Sequence, residues 1–135
     1  MDRIVLTVAA LAVLVAVAVG AAAAHALPGG LDPEAGAWID TAVRYQMWHA
    51  LALLGVGLWM RRPADAAARP ARALTVAAAG FALGILLFCG GLYLLALTGN
   101  RALAAVVPVG GTSFLVGWSA LVWHGLGRGG RATGR

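Results

Sequence analysis

Four long apolar runs separated by short polar stretches organise the chain. The first, Ile4 to Ala26, carries no charged residue. It exceeds the ~20 residues an α-helix needs to cross a hydrocarbon core about 30 Å thick. Leu27 to Pro33 reads as a turn, because Pro28-Gly29-Gly30 interrupts any helix. Asp32-Pro33-Glu34 then reads as a helix start. Asp32 caps free amides, Pro33 suits the first helical position, and Glu34 favours the positive end of the helix dipole. A second helix is predicted over about 33–60, lying first at the interface and then crossing. Arg61-Arg62-Pro63 stops it, and 61–72 forms a polar, Ala-rich loop with four arginines against Asp65. A third, charge-free run covers 73–97. Thr98-Gly99-Asn100-Arg101 makes a short turn, and a fourth run covers 102–126, with Pro108 and Gly110-Gly111 near its start. The Gly- and Arg-rich tail, 127–135, has nothing to bury and is expected to be disordered. The pattern predicts an all-α polytopic membrane protein, with a single four-transmembrane-helix bundle over 1–126.

Composition agrees. The 135 residues are 61% hydrophobic and 11% charged, against roughly 45–50% and about 25% for soluble domains. The net charge is +5, and all ten basic residues are Arg. Eight of them (Arg3, Arg61, Arg62, Arg69, Arg72, Arg128, Arg131 and Arg135) fall at the N-terminus, in the second connection and in the tail. Only Arg44 and Arg101 fall in the first and third connections. The positive-inside rule therefore predicts both termini in the cytoplasm. Trp38 would anchor the outer interface, and Trp59 and Trp123 the inner one.

Arg3 and the Ala24-His25-Ala26 triplet imitate a signal peptide, but the apolar run is longer than the about 7–15 residues of a signal core. The single cysteine, Cys89, allows no intrachain disulfide and reads as a small buried hydrophobe. No phosphate loop, zinc-protease helix or nucleophile elbow occurs, and nothing resembles a nucleic-acid module, so no enzyme activity, cofactor or nucleic-acid partner is expected.

Lipid gives helices no hydrophobic reason to associate, so small residues must let backbones approach. Gly80, Gly84 and Gly91 in the third run, and Gly110, Ser113, Gly117 and Ala120 in the fourth, form such stripes. They serve packing inside a tight bundle; the alternatives are that they line a pathway or equally form a dimer face. Besides the lipid bilayer, a homo-oligomer or a membrane-complex partner is compatible with this pattern.

Packing leaves one polar group of residues over: His25, Asp40, Arg44, Tyr45, Gln46 and His49. Asp40 and Arg44, and Tyr45 and His49, stand four apart on one helix and share faces. Antiparallel first and second helices would bring His25 to the same outer side. The group reads as hydrogen-bonding glue between helices. Three alternatives stand beside this: haem or metal ligation by His25 and His49, a proton relay or small-solute site, and a lipid-headgroup or quinone contact through Arg44 and Tyr45. His124 falls at the inner end of the fourth run, as an interfacial residue.

The stretches Gly20–Leu27, Thr41–Leu51, Gly84–Gly99 and Pro108–Trp118, in that order, resemble the YgdD-like small membrane proteins. That family is catalogued as domain of unknown function 423 and has a small eukaryotic transmembrane relative. The chain differs from the pattern mildly, with smaller residues over Ala21–Ala24 and with Cys89 where Ser is common. The resemblance implies a four-helix bacterial inner-membrane protein whose first segment is retained. It implies no activity. The resulting expectation is a non-enzymatic structural or assembly component. The alternatives are a small-solute or proton-linked transporter using His25 and His49, and a haem- or metal-binding redox protein.

Overall fold

A computed structural model of the chain describes residues 1–25, 32–61 and 72–129, which contain helices and turns and no strand. The helices are α1 (Asp2–His25), α2 (Pro33–Met60), α3 (Arg72–Gly84), a π-helical turn (Ile85–Cys89), α4 (Gly90–Thr98), a 3-10 turn (Arg101–Ala105) and α5 (Val107–Gly129). Residues 27–31 of the turn expected over 27–33, residues 62–71 of the arginine loop expected over 61–72 and the last six residues of the tail lie outside the described residues. Residues 127–129, expected to be disordered, continue α5 instead.

Local chemistry accounts for the helix ends. Asp32 Oδ2 accepts the amides of Glu34 (3.1 Å) and Ala35 (3.4 Å), and Pro33 fills the first helical position. Such a cap satisfies donors that have no partner within the helix. α4 ends at Gly99, whose φ of 66° lies in the left-handed region, so a side chain there would be strained. Asn100 Oδ1 then accepts the Ala102 amide and starts the 3-10 turn. This turn and Val106 precede α5, so the fourth run is not the single helix expected. Pro108 cannot donate to a continuing helix and sits where its missing amide costs nothing, in the first turn of α5.

α3, the π turn and α4 form one continuous rod from Arg72 to Thr98. The pattern predicted plain α-helix there, and the apolar periodicity does not show the widened turn. α1, this rod and the segment Arg101–Leu126 are each long and apolar enough to cross a membrane. α2 is shielded instead, since α1 packs along one side of it and the α3–α4 rod along another, while α5 packs on the rod. The outward faces of the apolar helices present Leu11, Leu14, Leu86, Leu115 and Val122. Such a belt is unfavourable in water and at rest in lipid.

Two interfaces of small residues hold the layers together. On α1, the buried Ala9, Ala12 and Ala16 face α2, where Ala42, Ala50 and Gly57 are buried. The Leu6 side chain fills the space a Cβ on Gly57 would need. Between α3 and α5 the approach is closer. A Cβ on Gly80 would stand 2.8 Å from the Gly117 nitrogen and the Ser113 carbonyl oxygen. A Cβ on Gly117 would stand 2.7 Å from the Phe81 ring, one on Gly84 would overlap the Phe114 ring, and one on Gly110 would overlap the backbone of Phe88 in the π turn. Gly91 is looser, at 3.3 Å from Val107 Cγ2. Each helix thus seats an aromatic ring over the other's glycine.

Gly110→Ala should therefore push the π turn off α5 and lower unfolding stability in mild detergent by about 1–3 kcal/mol, the usual cost of overpacking. Gly55→Ala, at a site with nothing within 4 Å of the added Cβ, should leave stability level or slightly raised. Equal losses in the two variants would contradict this packing.

Candidate functional site

The polar residues of α2 divide by helical face. Gln46 and His49 are buried, while Asp40 and Arg44 are exposed and joined to each other as an ion pair. An exposed pair four residues apart on a helix contributes only about 0.3–0.5 kcal/mol. Gln46 points at α1, where its Nε2 donates to the Ala12 carbonyl at 2.8 Å. The small alanines at 9, 12 and 16 leave room for that bond. It is a direct polar tie between helices, worth on average about 0.6 kcal/mol in membrane bundles.

His49 points the other way, towards the α3–α5 crossing. Its Nδ1 lies 2.7 Å from the Tyr45 carbonyl oxygen. A carbonyl can only accept, so Nδ1 carries the proton and Nε2 is the acceptor of the neutral ring. The ring stacks on Phe114 with centroids 3.5 Å apart and planes 15° from parallel. Phe81 lies 5.8 Å away, Tyr45 5.9 Å, and Trp118 stands edge-on at 6.2 Å. Tyr45 in turn stacks on Phe88 at 4.8 Å. The result is an aromatic box, with α2 supplying the histidine and α3, the π turn and α5 supplying the walls. The glycine crossing sets its geometry, because Phe81, Phe88 and Phe114 each lie against a glycine of the opposing helix.

His25 does not join this group. α1 and α2 run antiparallel, with Gly57 beside Leu6, Gln46 beside Ala12 and Gly20 beside Val43. On that register exposed His25 falls near Trp38, and His49 lies roughly 16 Å further along the axis at ~1.5 Å per residue. The two histidines cannot share a metal or pass a proton directly. Among the described residues, no three His, Cys, Asp or Glu side chains come together as a metal site. His124, expected at the interface, is 9% exposed and packs edge-on against Trp59 at 5.1 Å. The helix crossing turns it inward.

Sequence reasoning missed the walls of the box. Neither Phe81 nor Phe114 stood out from the apolar runs that contain them. The available signal was pairing, since Phe81 adjoins Gly80 on α3 while Phe114 and Gly117 alternate on α5. Each phenylalanine thus has a notch waiting on the other helix.

A family model described as "Protein of unknown function (DUF423)" matches residues 19–111, from the second half of α1 to the start of α5. The chain belongs to this family. It is 40% identical over 118 residues to a UPF0382 membrane protein of Haemophilus influenzae, covering 87% of this chain and 90% of that one. It is 39% identical over 121 residues to the UPF0382 inner membrane protein YgdD of Escherichia coli K12, covering 90% and 88%. A relative in Staphylococcus epidermidis, UPF0382 membrane protein SERP0230, is 38% identical over 122 residues, covering 89% and 93%. No solved structure matches the chain. With its apolar helices, this DUF423 chain is an inner-membrane protein. The matched stretch contains every polar residue of α2 discussed above.

Replacing the His49 ring separates its roles. His49→Phe keeps the stack and should cost under about 1 kcal/mol, since the Tyr45 carbonyl loses only one partner. His49→Ala opens a cavity between three helices and should cost about 2–4 kcal/mol. Gln46→Leu should cost about 0.5–1.5 kcal/mol through the lost tie to α1. Thermal unfolding in detergent measures all three, and a His49→Phe loss as large as that of His49→Ala would show the polar edge, not the stack, to be what matters.

Proposed function

We propose that this protein is a four-span structural or assembly component of the bacterial inner membrane, without catalytic activity, with both termini in the cytoplasm. The observation that carries this reading is the use to which α2's polar groups are put. Gln46 is spent on a carbonyl of α1 and His49 on its own helix and an aromatic stack. Groups arranged in this way hold three layers in register and give the bundle one rigid shape.

Register supports the fourth span. α2 has 28 residues, about 42 Å of helix at ~1.5 Å per residue, and it lies antiparallel along α1 from Gly57 to Val43. Wherever α1 crosses the bilayer, α2 crosses beside it. Its polar residues are tolerable at that depth because they face other helices. The count of eight arginines against two supports the orientation.

A fluorescent protein fused after Arg135 should light up, while alkaline phosphatase fused after Asn100 should be active. The reverse pattern would overturn the orientation or the crossing by α2, and the same side for both would overturn the crossing by α5. For the role, purified protein in liposomes loaded with a pH-sensitive dye should leak protons no faster than empty liposomes. A leak abolished by His49→Phe would replace the structural reading with a proton-linked one.

A further inference from the structure

At the end of the bundle where α1 begins, α1 and α3 diverge over α2 and leave a groove open to the surroundings. Leu53 and Met60 of α2 form its floor, Val5 and Val8 of α1 one wall, and Ala79 and Ala82 of α3 the other. The wall on α3 is low because its residues are alanines, and Ala78 beside them is 7% exposed. The surface within is almost wholly apolar. From Thr75 at the mouth to Ala82 is seven residues of helix, roughly 10 Å at ~1.5 Å per residue, so the groove runs from the interface into the depth of acyl chains.

The mouth is basic. Arg61 follows Met60, Arg72 lies one turn before Thr75 on the same face of α3, and Arg3 stands between two of the groove's residues, Met1 and Ile4. All three arginines are exposed. Among the described residues, the acidic group at this end is Asp2, which is paired with Arg61 at 3.6 Å. Arginines that neighbour the groove's residues in the chain therefore border an apolar slot lined by three helices. Positive charge at this end serves orientation wherever it stands around the bundle. An apolar slot opening beneath it asks for a molecule with an anionic head and a hydrocarbon tail.

We propose that this groove is a specific site for an anionic phospholipid, with one acyl chain lying over Leu53 between Val8 and Ala79 and the phosphate held among Arg61, Arg72 and Arg3. The site is separate from the His49 box, and it stands whether or not the structural role above holds. It requires only that this end of the bundle lie at a membrane surface.

Native mass spectrometry of delipidated, detergent-solubilised full-length protein tests it, with titration of dioleoyl phosphatidylglycerol or dioleoyl phosphatidylethanolamine. One phosphatidylglycerol per chain should be retained, in clear preference to phosphatidylethanolamine. Ala79→Leu, at a surface-exposed position, should fill the slot and abolish retention while leaving the charge unchanged. Arg72→Gln should weaken phosphatidylglycerol binding about fivefold, the effect of one arginine near an anionic headgroup, and leave phosphatidylethanolamine unaffected. Equal retention of the two lipids would overturn the proposal. So would retention that survives Ala79→Leu, or a chain dimer that Ala79→Leu dissolves, which would make a second copy the occupant.

Discussion

The contact between Gly80 and Gly117 governs much of this molecule. Lipid provides no hydrophobic force to press two apolar helices together, so α3 and α5 must gain their association from van der Waals contact at short range. Only glycine lets the two backbones touch, as the 2.8 Å from a Cβ on Gly80 to the Gly117 nitrogen makes plain. Once the backbones meet there, the neighbouring side chains have few places to go. Phe81 settles over Gly117, Phe114 over Gly84, and the π turn brings the Phe88 backbone onto Gly110. π turns recur at functional positions, and here the turn shapes one wall around His49.

The aromatic surface so formed receives α2, the most polar of the long helices. Its burial resolves a conflict. A helix with Arg44, Tyr45, Gln46 and His49 is a poor lipid-facing span, and its polar groups would be costly against hydrocarbon. Between α1 and the α3–α4 rod, each buried group finds a use, Gln46 with the Ala12 carbonyl and His49 with the Tyr45 carbonyl and the Phe114 face. The charged pair Asp40–Arg44 stays on the exposed side, where its hydration is kept. Each end of the bundle also carries an exposed ion pair between segments distant in the chain: Asp2 with Arg61 at one end, Glu34 with Arg101 at the other. Exposed pairs of this kind add little stability, but they join α1 to α2 and α2 to the α4–α5 connection.

The two small-residue interfaces do different work. Glycines on α3 and α5 bring backbones together and create holes for rings. Alanines on α1 leave room for a hydrogen bond from Gln46 to the α1 backbone. Alanines on the open side of α3 have no helix opposite them, and there the same economy of side chain leaves a groove below the arginines.

Much of this was legible in the residues themselves. The apolar runs mark the long helices because a helix in lipid must satisfy its whole backbone internally and therefore needs length. Asp32, Pro33 and Gly99 mark ends because cap and turn geometry is local. The stripes of Gly80, Gly84, Gly110 and Gly117 are visible as spacing, since helical phase alone puts them on one face. Spacing could not say which helix each stripe meets, nor that Phe81 and Phe114 would seat in the other helix's notches. The π turn was hidden because apolar periodicity is blind to one extra residue in a ring. His25 and His49 looked like partners because antiparallel first and second helices would bring both towards the outer side, and only the register, a product of packing along the full length of α1 and α2, separates them. The residues by themselves determined where the long apolar helices lie and where several of them stop, because those are matters of local hydrophobicity and backbone chemistry. The tertiary structure alone decided which side chains meet, because that depends on contacts between segments far apart in the chain.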